Sequence, residues 1–199
     1  MATKTQQRRE DLREQLIDIA EKVIAAEGPS AIKARKLADE AGCAVGAIYN
    51  VFGDLQEIVI AVNGRTFKAL GEAVAQSLIG AENSSPTERL ITMSYAYMEY
   101  ASQHPESWRA LFSLRMSTDM EVPKWYLAEL ERLFGFIGGP VRECFPDYAP
   151  EDVILMTRGL FSSIHGIVLL GLENRISGVP RDQIERMIAL LLTNATSIP

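Results

Sequence analysis

The chain is poor in the residues that most enzymatic and secretory chemistry relies on. Among 199 residues there are two cysteines, two histidines and 8% aromatics. Cys43 and Cys144 lie far apart with no secretion signal before them, so a structural disulfide is not expected and both read as small buried hydrophobes. No stretch of about 18 apolar residues runs without a charge or a helix-weakening interruption. The N-terminus MATKTQQRRED enters charged sequence without an apolar signal core, and a cytoplasmic location is expected. Catalytic signatures are missing too: no Glu-x-x-His pair for a di-iron bundle, no His-Glu-x-x-His, no Gly-x-Ser-x-Gly and no phosphate-binding Gly-rich loop. Ser162 and His165 share a helix face, but no third orienting group or oxyanion donor accompanies them. The chain is read as a non-enzyme with no cofactor and no metal.

Positive charge is also scarce. The net charge is −6, which speaks against nucleic acid because phosphate binding depends on local cations. Distribution qualifies the average. Residues 1–60 carry a net −2, yet seven of their eight cations fall in two clusters, 4–13 and 33–36. These form either a modest phosphate footprint or a solvated charged face.

What is abundant is helical periodicity, with no alternating strand run bounded by turn residues, so an all-α fold is expected. From Arg9 to Ala26, Leu12, Leu16, Ile19, Ala20, Val23 and Ile24 recur at three- and four-residue steps, and Gly28-Pro29 ends the helix. Two short helices follow, Ala34 to Ala41 and Val45 to Phe52, separated by Gly42-Cys43-Ala44. Pieces this short are unstable alone and must pack on the first helix. A glycine-containing turn between them has the spacing of a helix-turn-helix. Longer helices are expected at Leu55–Ile79, Thr87–Gln103, Ser107–Met116, Val122–Ile137, Pro150–Leu172 and Arg181–Ala195, with Pro140, Pro146 and Pro180 marking connections. The domain boundary is placed after residue 54, giving a helix-turn-helix domain over 1–54 and a larger helical domain over 55–199, for which DNA binding and ligand binding with dimerisation are the functions expected from the features below.

Residues 28–58 resemble the DNA-binding domain of the TetR/AcrR family of bacterial regulators. Gly28, Ala31, Arg35, Leu37-Ala38, Ala41-Gly42, Gly46, Tyr49, Phe52 and Ile58 carry the resemblance without a gap. A looser likeness to one branch of that family runs through Tyr97 to Pro105, Trp108 to Phe112 and Phe161-Ser-Ser-Ile-His165-Gly166. Against the family pattern, Lys33 stands where a capping Thr is usual, Ala44 where a capping Ser is, Val45 for a frequent Lys, Ala47 for a frequent Thr, and Leu55 for a Lys that commonly grips phosphate.

In a helix-turn-helix, the second helix of the motif enters the major groove with its N-terminal residues toward base edges. Residues 44–50, Ala44, Val45, Gly46 and Ala47 among them, then read DNA: Gly46 and Ala47 lack bulk and leave room for close backbone approach, and a helix N-terminus favours an anion. The resemblance implies a phosphate bond from the Tyr49 hydroxyl; packing on the first helix is the other option. Asn50 either pairs with an adenine edge or faces solvent as a cap. Lys33 and Arg35 either reach phosphate or form a solvated cationic turn. With so apolar a reading helix, compensation is expected from Lys33, Lys36 and the arm bearing Arg8 and Arg9.

The remainder supplies material for an apolar cavity: Tyr95, Met98, Trp108, Phe112, Met116, Trp125, Phe134, Phe161 and His165, with His165 and the tyrosines as polar handles. Plain core packing is the competing explanation. Gly159, Ser162, Ser163 and Gly166 recur at three- and four-residue steps, and Ile184, Ile188, Leu191 and Leu192 stripe the last helix. The resemblance implies a four-helix dimer interface there; burial within one subunit is the alternative. Together these readings describe a ligand-responsive regulator, a repressor by resemblance, that binds palindromic double-stranded operator DNA as a homodimer and is released by a small hydrophobic or aromatic effector. The alternatives are a helical ligand-binding dimer with weak or lost DNA binding, and a small-molecule enzyme.

Overall fold

The structure is a computed structural model that describes residues 3–113 and 122–197. The described residues form nine α-helices and two short 3-10 turns, with no strand among them. They divide into two compact units, one of Met1–Lys68 with His104–Tyr126 and one of Ala69–Gln103 with Leu127–Pro199. The contacts therefore draw the line elsewhere than after residue 54.

In the first unit, α1 (Lys4–Glu27) begins at a capping box, in which Thr3 Oγ1 accepts from Gln6 N at 3.3 Å and Gln6 Oε1 accepts from Thr3 N at 2.8 Å. It ends at Gly28, whose φ of 79° lies in the left-handed half of backbone space. α2 (Ala34–Ala41) and α3 (Val45–Val51) fall almost where the periodicity puts them. Between them Gly42 adopts φ 65° and ψ 34°, and Cys43 N bonds to Ala38 O at 3.0 Å, the paired signature of a helix closed by a left-handed residue. One core unites these pieces: Leu16, Ala20 and Ile24 of α1, Leu37 of α2, Ile48 of α3, and Ile58 and Val62 of α4 (Leu55–Ser77).

The short α6 (Pro105–Ala110) returns to this unit and packs on α1. Its chain position alone does not foretell that; the link is tertiary. Arg65 on α4 adds a polar lock, with its guanidinium 2.9 Å from Glu14, 2.7 Å from Asp18 and 2.7 Å from Glu21 of α1. Three carboxylates raise the Arg65 pKa still further above neutrality despite burial, which opposes the shift.

The second unit contains the end of α4, α5 (Pro86–Gln103), most of α7 (Lys124–Cys144), α8 (Pro150–Leu172) and α9 (Ile184–Thr196). α5, α8 and α9 pack on one another, and Thr87 and Thr196 hydroxyls meet at 2.7 Å where α5 begins and α9 ends. The sequence reading ends the seventh helix before Pro140; the helix runs through it to Cys144. Proline costs an intrahelical hydrogen bond. Here Val141 and Phe145, one turn apart, are both buried, and their packing outweighs the local penalty.

A second correction concerns α9. Ile184, Ile188 and Leu192 are 1%, 0% and 1% exposed, so they are core within the chain and not an open stripe awaiting a partner. The reason is geometric: an apolar stripe covers whichever neighbour is nearest, and α5 and α8 already lie against this helix.

Candidate functional site

The α3 surface divides cleanly. Ile48 is fully buried and holds the helix to the core, while Ala44, Val45, Gly46, Tyr49 and Asn50 are exposed and Ala47 is half-buried. Tyr49, 49% exposed, is not packed into the first helix. Neither α2 nor α3 has a side-chain cap: Lys33 and Ala44 occupy the N-cap positions without bonding the first turn. Nothing lies within 4 Å of a Cβ built on Gly46, so the helix start is open to a ligand's approach. Lys33 and Arg35 project from the start of α2 and are exposed. Lys36, expected as a compensating cation, is instead ion-paired with Glu27, and Arg13 lies over the Phe52 ring at 5.0 Å.

The residues expected to line one cavity are distributed among several places. Phe134, Phe161 and His165 do come together in the second unit, joined by Tyr97. Phe134 and Phe161 meet edge to face at 5.2 Å, Phe161 and His165 stack at 5.8 Å, and Tyr97 Oη lies 2.7 Å from His165 Nδ1. Arg158 covers the Phe134 ring at 5.2 Å. Tyr95 and Met98 line a separate open depression of about 350 Å³ with Glu99 and Glu185, and the Tyr95 hydroxyl donates to Glu185 O at 3.2 Å. Trp108, Phe112 and Trp125 belong to the first unit. Trp108 is 1% exposed and packs as core, whereas Phe112 and Trp125 are nearly half exposed. Met116 lies outside the described residues.

Two polar groups escaped the sequence reading. Tyr97 is 8% exposed, and its pairing with His165 places a hydrogen bond inside an aromatic nest. Asn63 is fully buried in the first unit; its amide donates to Ala110 O at 3.0 Å while its Oδ1 has no partner among the described residues. The signal was present in both cases as a polar residue at an apolar helical position, Asn63 within Ile-Val-Ile-Ala-Val-Asn-Gly and Tyr97 on the buried stripe of α5.

Burial holds the His165 imidazole below its ordinary pKa. The folded chain thus resists protonation there more than the unfolded chain does. Stability from this group is complete above about pH 6.5 and falls as the pH drops below that value. Melting curves between pH 7.5 and 5.5 should show that loss, and His165→Gln should flatten it; an unchanged profile in the variant would assign the loss elsewhere.

The outward side of α8 is unusually apolar. Its most apolar window has a mean hydropathy of 1.7, enough by length and composition to cross a membrane, yet only 28% of that window is buried inside the protein. Ile154, Leu155 and Leu170 stand exposed beside Gly159, Ser162 and Ser163, with Gly166 half-buried; Leu190 of α9 is 48% exposed and Leu191 half-buried.

Sequence comparison bears directly on these arrangements. Residues 16–62 match the model described as bacterial regulatory proteins of the tetR family, and residues 90–195 match the tetracyclin repressor-like C-terminal domain. The chain belongs to the TetR family. No curated protein matches it in sequence. Solved structures share the fold at low identity. A protein of unknown function from Rhodococcus sp. RHA1 is 22% identical with a TM-score of 0.73, the match covering 92% of this chain and 94% of that one. RolR, in complex with the ligand resorcinol, is 20% identical with a TM-score of 0.68 over 97% of this chain and 91% of its own. The transcriptional regulator FadR from Bacillus subtilis, in complex with stearoyl-CoA, is 20% identical with a TM-score of 0.66 over 90% and 96%. As a TetR-family protein, the chain is a transcriptional regulator and not an enzyme, with a DNA-binding helix-turn-helix domain and a ligand-binding C-terminal domain.

Proposed function

We propose that this TetR-family regulator binds a palindromic operator as a homodimer and releases it when a small hydrophobic effector occupies the C-terminal domain. The observation that carries the proposal is the exposed, uncapped start of α3, where neither Ala44 nor any other described side chain bonds the first-turn N–H groups and Gly46 adds no bulk in front of them. A phosphate or base edge approaching there meets a helix N-terminus that favours negative charge. Lys33 and Arg35 at the start of α2, and Tyr49 and Asn50 on α3, are all exposed and are assigned phosphate and base contacts.

For the dimer, α8 and the exposed edge of α9 supply the surface: Ile154, Leu155, Leu170 and Leu190 form the apolar contacts and the Gly159, Ser162, Ser163 and Gly166 face lets two helices approach closely. An apolar face of this extent on a water-soluble regulator calls for a cover. A two-fold dimer sets its recognition helices about 34–36 Å apart, one turn of duplex. The Tyr97, Phe134, Phe161 and His165 cluster is assigned to the effector, its rings taking an apolar body and the Tyr97–His165 pair a polar end. Resorcinol on RolR and stearoyl-CoA on FadR are in keeping with a ligand that presents apolar surface. An effector regulates only through different affinities for the DNA-competent and incompetent states.

The test is a gel shift with duplex DNA from upstream of the gene, combined with light scattering. A sequence-dependent complex with two chains per operator is expected. Absence of any such complex at low salt, with a stable dimer in solution, would favour the helical ligand-binding dimer that no longer reads DNA.

A further inference from the structure

Up to Lys22 the charges of α1 are sorted by side; Glu27, at its end, lies on the basic side and pairs with Lys36 of α2. At about 100° per residue, Glu10, Asp11, Glu14, Asp18 and Glu21 fall within an arc of about 100°, while Lys4, Arg8, Arg9 and Arg13 occupy a separate half-turn that adjoins it at Lys4, with Arg8, Arg9 and Arg13 farther round. Contacts fix where each side points. The acidic arc faces α4, whose Arg65 bonds Glu14, Asp18 and Glu21. The basic side faces the helix-turn-helix: Gln15 donates to Ala41 O at 3.3 Å, at the end of α2, and Arg13 lies over Phe52, just past α3.

The start of this helix also overhangs the core. Leu16 is the first buried residue, and residues 3–11 are all exposed. From Lys4 to Leu16 the helix rises about 18 Å, roughly three turns. Isolated helical ends fray. This one is held by the Thr3–Gln6 capping box and by a bond from Gln7 Nε2 to Asp11 Oδ1 at 2.9 Å. Along it, Lys4, Arg8 and Arg9 make no ion pair among the described residues, in a chain whose net charge is −6.

We infer that the first three turns of α1 are a rigid basic arm that grips backbone phosphates of duplex DNA flanking the base pairs read by α3. The inference rests on the operator-binding proposal and extends it. The arm leaves the bundle beside the α2–α3 turn, carries cations without an ion pair among the described residues on that side, and keeps its carboxylates on the other, where Arg65 bonds Glu14. It supplies the cations that α3 lacks. Contacts of this kind set affinity and register and carry no sequence information.

The experiment compares wild type, Arg8→Ala/Arg9→Ala and the charge-matched Lys124→Ala/Arg142→Ala by titrating upstream duplex and a scrambled duplex at salt concentrations from 50 to 300 mM. For the arm variant, the slope of log K against log[salt] should become shallower by up to about 2 per subunit, since each phosphate contact contributes about 0.9. The ratio of specific to scrambled binding should stay as in wild type, and so should the melting temperature. The control pair should retain the wild-type slope. An unchanged slope in the arm variant overturns the inference, as does a loss of specificity along with affinity, which would make these arginines base readers. If wild type forms no sequence-dependent complex, operator binding itself fails, and the slopes on scrambled duplex still decide whether the arm grips phosphate.

Discussion

Gly46→Glu is expected to weaken operator binding at least about 100-fold while leaving the protein folded. Gly46 is exposed, one residue into α3, and nothing lies within 4 Å of the position its Cβ would take. A larger side chain therefore meets no neighbour in the free protein and relieves the helix of a glycine, which by propensity is a gain. In the proposed operator complex the same carboxylate stands where backbone and phosphate approach each other. Like charges forced together at an interface cost several kcal/mol, and about 2.7 kcal/mol suffices for 100-fold. Gly46→Ala separates bulk from charge and should lose less. Binding isotherms for both variants, with circular dichroism melts alongside, check the prediction; wild-type affinity in Gly46→Glu would remove the start of α3 from the DNA interface.

Trp108→Ala should have the largest effect on stability. Trp108 is 1% exposed on α6, the helix that comes back to pack on α1, and its ring meets Phe112 edge to face at 5.6 Å. Truncating a buried tryptophan forfeits its transfer free energy and leaves a cavity, together about 3–5 kcal/mol. For a chain of this size that lowers Tm by roughly 10 °C. Operator binding should weaken at temperatures where the wild type is still fully folded, because α1 supports both α6 and the reading helix. A melting temperature within 2–3 °C of wild type, on the order of 1 kcal/mol, would show that α6 is dispensable to the packing of the first unit.

What the sequence made legible follows the range of the forces involved. α2 and α3 were readable almost to the residue because a left-handed glycine at 42 and apolar positions 37, 38 and 48 are local signals. The association of α6 with α1 was not, since it joins residues some ninety apart and no periodicity encodes it. Pro140 misled for the same reason: its local rule is sound, but the buried pair Val141 and Phe145 decides the outcome. Ile184, Ile188 and Leu192 illustrate a further ambiguity, as a stripe that buries against its own chain and one that buries against a partner look alike in sequence. The aromatic residues were found as a class, yet they fall into separate groups, Phe134 with Phe161 and His165, Trp108 with Phe112, and Tyr95 with Met98, because type does not reveal which helices face each other.

The partition of α3 has a consequence for how such a regulator changes its target. Ile48, with the half-buried Val51 and with Phe52 just past the helix, anchors α3 in the core, and the exposed positions 45, 46, 49 and 50 take no share in that burial. Substitutions at these positions, the ones proposed to contact DNA, therefore carry little thermodynamic debt in the fold. Retargeting can proceed one position at a time, without compensating changes beneath, so a library confined to those four residues is a practical starting point for redirecting the protein to a new promoter.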